Sequence, residues 1–381
     1  MVKKKVSLVF GTRPEAIKMA PVAYALRNTD FFNVQIILTA QHRELLDQVM
    51  ELFGLKGDYD LNIMQETQTL TQITIGVLKG LDKIWKEDIP DIVLVHGDTT
   101  TTFAASLTAF YKKIPIAHVE AGLRTYNKYQ PYPEEINRHL TGVLADLHFA
   151  PTKTAKENLL KENLPSNNIF VTGNTVIDAL LYVYNNLNNF KPEGIPPLPE
   201  NKVILVTAHR RENWGKPLKD IVLAIKDILS EFKDFYVVFP VHPNPIVKDQ
   251  VYSVLSQEER AILLSPVDYK TMVYLLSKSY IVLTDSGGLQ EEAPTLGKPV
   301  LVLREVTERP EAVIAGTVRL VGADKDRIVN EVKKLILDQG EYNKMSKAIN
   351  PYGDGKASIR IKDALLYYFG FSKNPPKEFK P

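Results

Sequence analysis

The 381-residue chain contains no cysteine, which excludes disulfide bridges, thiolate nucleophiles and cysteine-ligated zinc. It also lacks an excess of either charge. Against 47 Lys and Arg stand 45 Asp and Glu, a formal charge of +2, so no long-range field gathers a nucleic acid or an anionic membrane. No apolar run reaches bilayer length, and residues 6–10, behind Lys3, Lys4 and Lys5, are too few for the apolar core of a signal peptide. A soluble, cytoplasmic protein is expected, with no membrane and no nucleic-acid partner. Two nucleotide signatures are missing as well: Gly-x-Gly-x-x-Gly and Gly-x-x-x-x-Gly-Lys-Ser/Thr. Dinucleotide cofactors and P-loop hydrolysis both lose support.

What is present is a regular alternation. Short β-branched runs at 6–10, 34–39, 91–96, 116–119, 147–150 and 169–171 are separated by longer amphipathic stretches, as expected of βα repeats around a parallel sheet. After the helical stretch 175–189, the proline-rich residues 191–199 forbid regular helix and read as an extended connector. A second series of strands follows at 203–207, 236–239, 262–264, 280–283, 300–303 and 318–321. The class is therefore α/β with two Rossmann-like halves. We place an N-terminal domain at 1–171, a C-terminal domain at 172–354, and a closing segment at 355–381, whose helical stretch 358–369 crosses back to the first half.

In parallel α/β sheets, ligands gather beyond the carboxyl ends of the strands. The richest such place is Thr284-Asp-Ser-Gly-Gly-Leu-Gln-Glu-Glu292, which puts Ser286, Gly287 and Gly288 at a helix N-terminus. Free backbone N–H groups and the positive end of the helix dipole favour an anion there, and glycines let it approach closely. Glu291 and Glu292, within the next turns, offer acceptors for ribose hydroxyls, and Arg309 follows the next strand. The first half supplies Arg13 and Lys18 after its first strand, His96-Gly-Asp98, His118-Val-Glu120, and Glu134 behind Pro133. Acids gathered near a phosphate need cations to offset them, for which Arg13, Lys18, Arg124 and Arg138 are available. Some of the acids are then expected to have raised pKa values and to carry protons. Asp98 also suits a helix N-cap. His209, in an Arg- and Glu-rich loop after the first strand of the second series, and His242, after its second, have no His-x-x-x-His spacing that would suggest a metal.

Taken together, Gly11-Thr-Arg-Pro-Glu-Ala-Ile-Lys18, His-Gly-Asp98, His-Val-Glu120-Ala-Gly-Leu-Arg124, Pro133-Glu-Glu-Ile-Asn-Arg138, Thr172-Gly-Asn-Thr175, His209-Arg-Arg-Glu212, His242-Pro-Asn-Pro245 and Asp285-Ser-Gly-Gly-Leu-Gln-Glu-Glu292 resemble the non-hydrolysing UDP-N-acetylglucosamine 2-epimerases. The resemblance runs in order across nearly the whole chain. It implies a GT-B-like fold with the active site in a cleft between two Rossmann-like domains. The implied reaction is reversible conversion of UDP-N-acetylglucosamine to UDP-N-acetylmannosamine by elimination and re-addition of UDP through 2-acetamidoglucal, with no cofactor and no metal. Asp98, Glu120, Glu134 and His209 match the family's catalytic positions. Arg13, Lys18, Ser286, Gly287, Gly288, Glu292 and Arg309 match its nucleotide-sugar contacts, which Asp98, Glu120 and His209 share. Gln41, Glu44, Arg210 and His242 correspond to an activator site of some bacterial members, although Glu44 and Thr67 stand where that pattern has glutamine and arginine. A homodimer is expected. The alternatives are a hydrolysing epimerase that releases UDP and free N-acetylmannosamine, and a non-catalytic UDP-sugar sensor.

Overall fold

The computed structural model describes residues 2–40, 43–64 and 68–381, with Glu44 described by its backbone alone. Two compact units result: residues up to Ala179 together with Tyr352–Lys380, and Leu180–Pro351.

In the first unit the strands are β1 (Lys4–Phe10), β2 (Phe32–Leu38), β3 (Tyr59–Asp60), β4 (Ile92–His96), β5 (Ile116–Val119), β6 (Leu147–Ala150) and β7 (Ile169–Val171). They form one parallel sheet in the order β3-β2-β1-β4-β5-β6-β7. Helices α1 (Arg13–Arg27), α2 (Arg43–Leu52), α3 (Leu70–Glu87), α4 (Thr100–Tyr111), α5 (Glu134–Leu144), α6 (Lys153–Lys161) and α7 (Thr175–Asn185) alternate with the strands. Cover on both faces is why β4 and β5 are buried at every position and read as unbroken apolar runs rather than alternating ones. On α3 the buried residues Ile73, Val77, Leu81 and Trp85 recur every four positions. That stripe joins Val93 and Val95 of β4 and Ala105 and Ala109 of α4 in one core.

The second unit repeats the plan with β8 (Val203–Thr207), β9 (Tyr236–Pro240), β10 (Ala261–Leu264), β11 (Ile281–Thr284), β12 (Val300–Val302) and β13 (Val318–Leu320). Their order is β10-β9-β8-β11-β12-β13, again all parallel. Its helices are α8 (Lys216–Glu231), α9 (Pro245–Leu255), α10 (Tyr269–Lys278), α11 (Gly287–Thr295), α12 (Pro310–Ala315), α13 (Lys325–Leu337) and α14 (Gln339–Ser346). The last helix, α15 (Ala357–Tyr368), belongs to the first unit. Among the described residues no helix is long and apolar enough to cross a membrane.

Both sheets are doubly wound. Strand order reverses between β1 and β4 in the first unit and between β8 and β11 in the second, and the crevice for a ligand opens at such switch points beyond the strand carboxyl ends. The units divide within α7, not at residues 171/172, and again at 351/352. Local bonding explains why the first turn of α7 stays with the first unit. Asn174 N–H donates to the Tyr352 carbonyl at 2.7 Å. Asp178 accepts from the N–H groups of Ala357 (3.1 Å) and Ser358 (2.8 Å) at the start of α15. The proline-rich stretch 191–199 lies wholly inside the second unit.

Candidate active site

At the switch point of the first unit, Gly11 and Thr12 lead from β1 into α1. A Cβ on Gly11 would stand 1.8 Å from Thr39 Oγ1 and 3.2 Å from Thr39 Cβ, so any larger residue would have to displace the Thr39 side chain. Glu15 is buried and fully engaged in structure: one carboxyl oxygen accepts from Gly11 N–H (3.1 Å), Thr12 N–H (2.9 Å) and the Thr12 hydroxyl (2.7 Å), and the other from the Thr99 hydroxyl (2.7 Å). This capping box ties the turn after β1 to the turn after β4. It leaves Arg13 and Lys18 on the first turns of α1 beyond the sheet edge, both half-buried.

Glu120 lies one residue past β5 with φ at +62°. A glutamate in the left-handed region is strained by roughly 1–2 kcal/mol, and such strain collects where a side chain must be aimed. The buried carboxylate receives Lys18 Nζ, takes a hydrogen bond from Asn174 Nδ2 at 2.8 Å, and lies 3.6 Å from His96 Nε2. Burial alone would raise its pKa, but the charge of Lys18 and the proximity of His96 prevail and hold it well below the ordinary carboxylate range. Glu120 is therefore held in its ionised form, so it is not among the acids whose pKa is raised.

Asp98 follows β4. It does not cap α4, because Thr99 takes that role and accepts from Thr102 N–H at 3.1 Å. Freed from capping, Asp98 is gripped by Arg138 through Nε at 2.8 Å and Nη2 at 2.7 Å. Arg138 also reaches Glu135 at 3.0 Å. The adjacent glutamates at the start of α5 have opposite fates. Glu135 is buried and accepts from the N–H groups of Thr125 (3.0 Å) and Tyr126 (2.8 Å). Glu134 is only partly buried, and its pKa is raised by that burial and by the negative charge of Asp98. Of the four cations expected to offset these acids, Lys18 and Arg138 pair with them, whereas Arg124 binds Glu162 at 2.7 and 2.8 Å.

In the second unit the pivotal residue is Asp285, fully buried after β11. One carboxyl oxygen accepts from the N–H groups of His209 and Arg210, both at 2.8 Å, and from Asn213 Nδ2 at 3.0 Å. The other lies 2.8 Å from His209 Nδ1. Burial opposes ionisation of Asp285, yet His209 and these donors hold its pKa below the usual value. The carboxylate thereby presents the His209 ring with Nε2 outward, and His242 lies alongside with ring centroids 6.3 Å apart and planes 17° from parallel.

Ser286 is the N-cap residue of α11, so the first N–H groups of that helix, beginning with Gly287 and Gly288, have no partner within it. The guanidinium groups of Arg210 and Arg309 each come to 3.9 Å from where a Cβ on Gly287 would stand. Two cations thus flank a helix N-terminus at a residue without a side chain, an arrangement suited to a doubly charged phosphate group. Arg309 is held by the buried Glu291. One turn along, Glu292 accepts from the Tyr269 hydroxyl at 2.7 Å. Among the expected activator-site residues, Arg210 belongs to this anion cradle and His242 stands beside His209, while Gln41 and the Glu44 side chain lie outside the described residues. The roles of Asp285, Asn174 and His96 were not singled out in the sequence, although Asp285 and Asn174 lie in the short turns after β11 and β7 and His96 is the last residue of β4.

The comparisons with known proteins agree with this geometry. A family model described as UDP-N-acetylglucosamine 2-epimerase matches residues 24–366. The UDP-N-acetylglucosamine 2-epimerase of Bacillus subtilis strain 168 is 53% identical over 379 residues, covering 100% of this chain and 99% of that protein. The protein of the same description in Escherichia coli K12 is 55% identical over 368 residues, covering 95% and 98% respectively. The crystal structure of the Neisseria meningitidis UDP-GlcNAc 2-epimerase bound to UDP-GlcNAc superposes with a TM-score of 0.88 at 53% identity, over 95% of this chain and 99% of that one.

Proposed function

The chain belongs to the UDP-N-acetylglucosamine 2-epimerase family, and from that premise we propose that it interconverts UDP-N-acetylglucosamine and UDP-N-acetylmannosamine by eliminating and re-adding UDP. The proton on C2 is not adjacent to a carbonyl, so deprotonation alone would leave an unstabilised carbanion. Breaking the C1–O bond as the proton departs avoids this. The C2–H electron pair becomes the C1=C2 bond of 2-acetamidoglucal, and UDP leaves with the electrons of the C1–O bond. Re-addition reverses both changes, with the proton arriving on the opposite face of C2.

Such a path needs two proton-handling groups in opposite states and a firm hold on UDP. The observation that carries the reading is the divergence of Glu120 and Glu134: the first ionised by Lys18 and His96, the second pushed toward its protonated form by burial and Asp98. Two carboxyl groups whose surroundings drive their pKa values apart are what an acceptor and a donor require. In this reading Asp98, Glu120, Glu134 and His209 act on the sugar, with Arg13 and Lys18 supporting them. Ser286, Gly287, Gly288, Arg210 and Arg309 hold the diphosphate and Glu292 the ribose. Retained UDP favours epimerisation over release of free sugar. A cytoplasmic homodimer completes the proposal, and sedimentation checks the assembly.

The test is incubation with UDP-N-acetylglucosamine in deuterated water. Deuterium at C2 of both nucleotide sugars is expected, without added nicotinamide or metal. Free N-acetylmannosamine as the sole product would favour hydrolysis, and absence of both label and product from folded protein would refute catalysis.

A further inference from the structure

Strand β7 is an edge of its sheet, and its last residue, Val171, points both backbone polar groups away from β6. An uncovered edge of this kind is a liability. The C-terminal residues satisfy it: Phe379 N–H donates to the Val171 carbonyl at 2.8 Å, and Val171 N–H donates to the Glu378 carboxylate at 3.1 Å. Lys156 fixes the same carboxylate at 2.7 Å, and the Phe379 ring is buried.

Arg360 of α15 binds this tail to the turn that follows β7. Its guanidinium forks onto Asp354, with two contacts of 2.7 Å, and donates to the carbonyls of Thr172 (3.0 Å) and Lys377 (3.2 Å). It also lies 5.4 Å from the centre of the Phe379 ring. Next in that turn is Gly173, with φ at +84° and its Cβ position 3.7 Å from the Phe379 ring. Then comes Asn174, held by Tyr352 through its N–H and donating to Glu120 from its side chain at 2.8 Å. The contacts thus form an unbroken series from the last residues of the chain to the ionised carboxylate.

We propose that residues 377–379 are a positioning strap: docked on the free edge of β7 and fastened by Arg360, they hold the turn 172–174 from which Asn174 orients Glu120. The strap touches no reacting atom and acts only through Asn174. The inference rests on the reading of Glu120 as the proton-handling group. Loosening the strap lets Asn174 drift from a carboxylate whose aim depends on it, and misplacement of about 1 Å typically costs as much as a hundredfold in rate.

The experiment uses full-length Phe379→Ala, Glu378→Ala and Phe379→Leu, with amide hydrogen exchange of residues 172–176 read beside steady-state kinetics. Phe379→Ala and Glu378→Ala are each expected to raise exchange in that segment and to lower kcat by roughly tenfold, leaving UDP affinity and the KM for UDP-N-acetylglucosamine within about twofold. The acid limb of the kcat profile moves to higher pH, because a lost donor favours the protonated form of Glu120. Phe379→Leu restores most of the rate. If Phe379→Ala does not fold, the partly exposed Glu378 carries the same prediction. Unchanged exchange and kcat in Glu378→Ala, with an active wild type, would overturn the strap alone. A wild type that incorporates no deuterium would instead overturn the reading beneath it, while exchange still reports whether the tail holds the turn.

Discussion

The two switch points of this molecule share a topology and differ in chemistry. Beyond β4 and β5 stand carboxylates set by their surroundings: Lys18 and His96 on Glu120, Arg138 on Asp98, burial and the charge of Asp98 on Glu134. Beyond β8 and β11 the fully buried Asp285 is consumed in orienting His209 and the backbone of Arg210, and what faces outward is a helix N-terminus between two arginines. A doubly wound sheet supplies only the location. Whether that location moves protons or grips an anion depends on which charge the turns leave unspent.

The comparison is broken most directly at Glu120. Glu120→Gln is expected to lower kcat by a factor of roughly a hundred to ten thousand, the usual cost of losing a general acid–base group, with UDP affinity near wild type by calorimetry. Equal losses of binding and rate would erase the distinction between the two units.

The units should also part company in acid. Burial pushes His118 down to about 3 and His148 to about 4, from an ordinary 6.5. The unfolded chain therefore takes up protons near pH 6.5 that the folded first unit refuses. Stability is fully present above that pH and falls as pH drops toward the folded values, by up to about 1.4 kcal/mol per unit for each histidine. Asp285, with its lowered pKa, contributes stability above 3.8 that is lost only as pH falls through its folded value. Limited proteolysis between pH 7 and pH 5 should attack the first unit before the second, and the reverse order would contradict the assignment.

Asp285→Asn sharpens the second half. It keeps the shape but removes a charge that accepts three N–H groups and faces His209, so a stability loss of roughly 1–3 kcal/mol is expected by thermal unfolding, together with a fall in kcat. The smallest effect belongs to Gly287→Ala. The added methyl meets only the two guanidinium groups at ordinary contact distance, so stability should hardly change, while UDP affinity falls by roughly tenfold, about the worth of one charge-assisted hydrogen bond. Unaltered UDP affinity would remove the phosphate from this helix end.

The sheets were legible because buried parallel strands are apolar on both faces. Of the second series, 203–207 is found as read, 280–283 is displaced by one residue to 281–284, and the others differ by a residue at one end. The strand that escaped notice, β3, is two exposed residues with no apolar signal. The Ser-Gly-Gly helix start and the acidic turns after β4 and β5 were equally plain, since capping, glycine and charge are local matters. What the chain alone determined, then, was the repeat of strand and helix, the positions of the turns, and which residue types those turns carry. Tertiary structure decided which carboxylate is spent on structure and which is left for chemistry. Glu15 and Glu135 are locked by backbone N–H groups, Glu120 is ionised by Lys18 from 102 positions earlier in the chain, and Asp285 is committed to His209. Ionisation depends on burial and on partners within a few ångströms, and those partners come from turns far apart in sequence that only the folded sheets bring together.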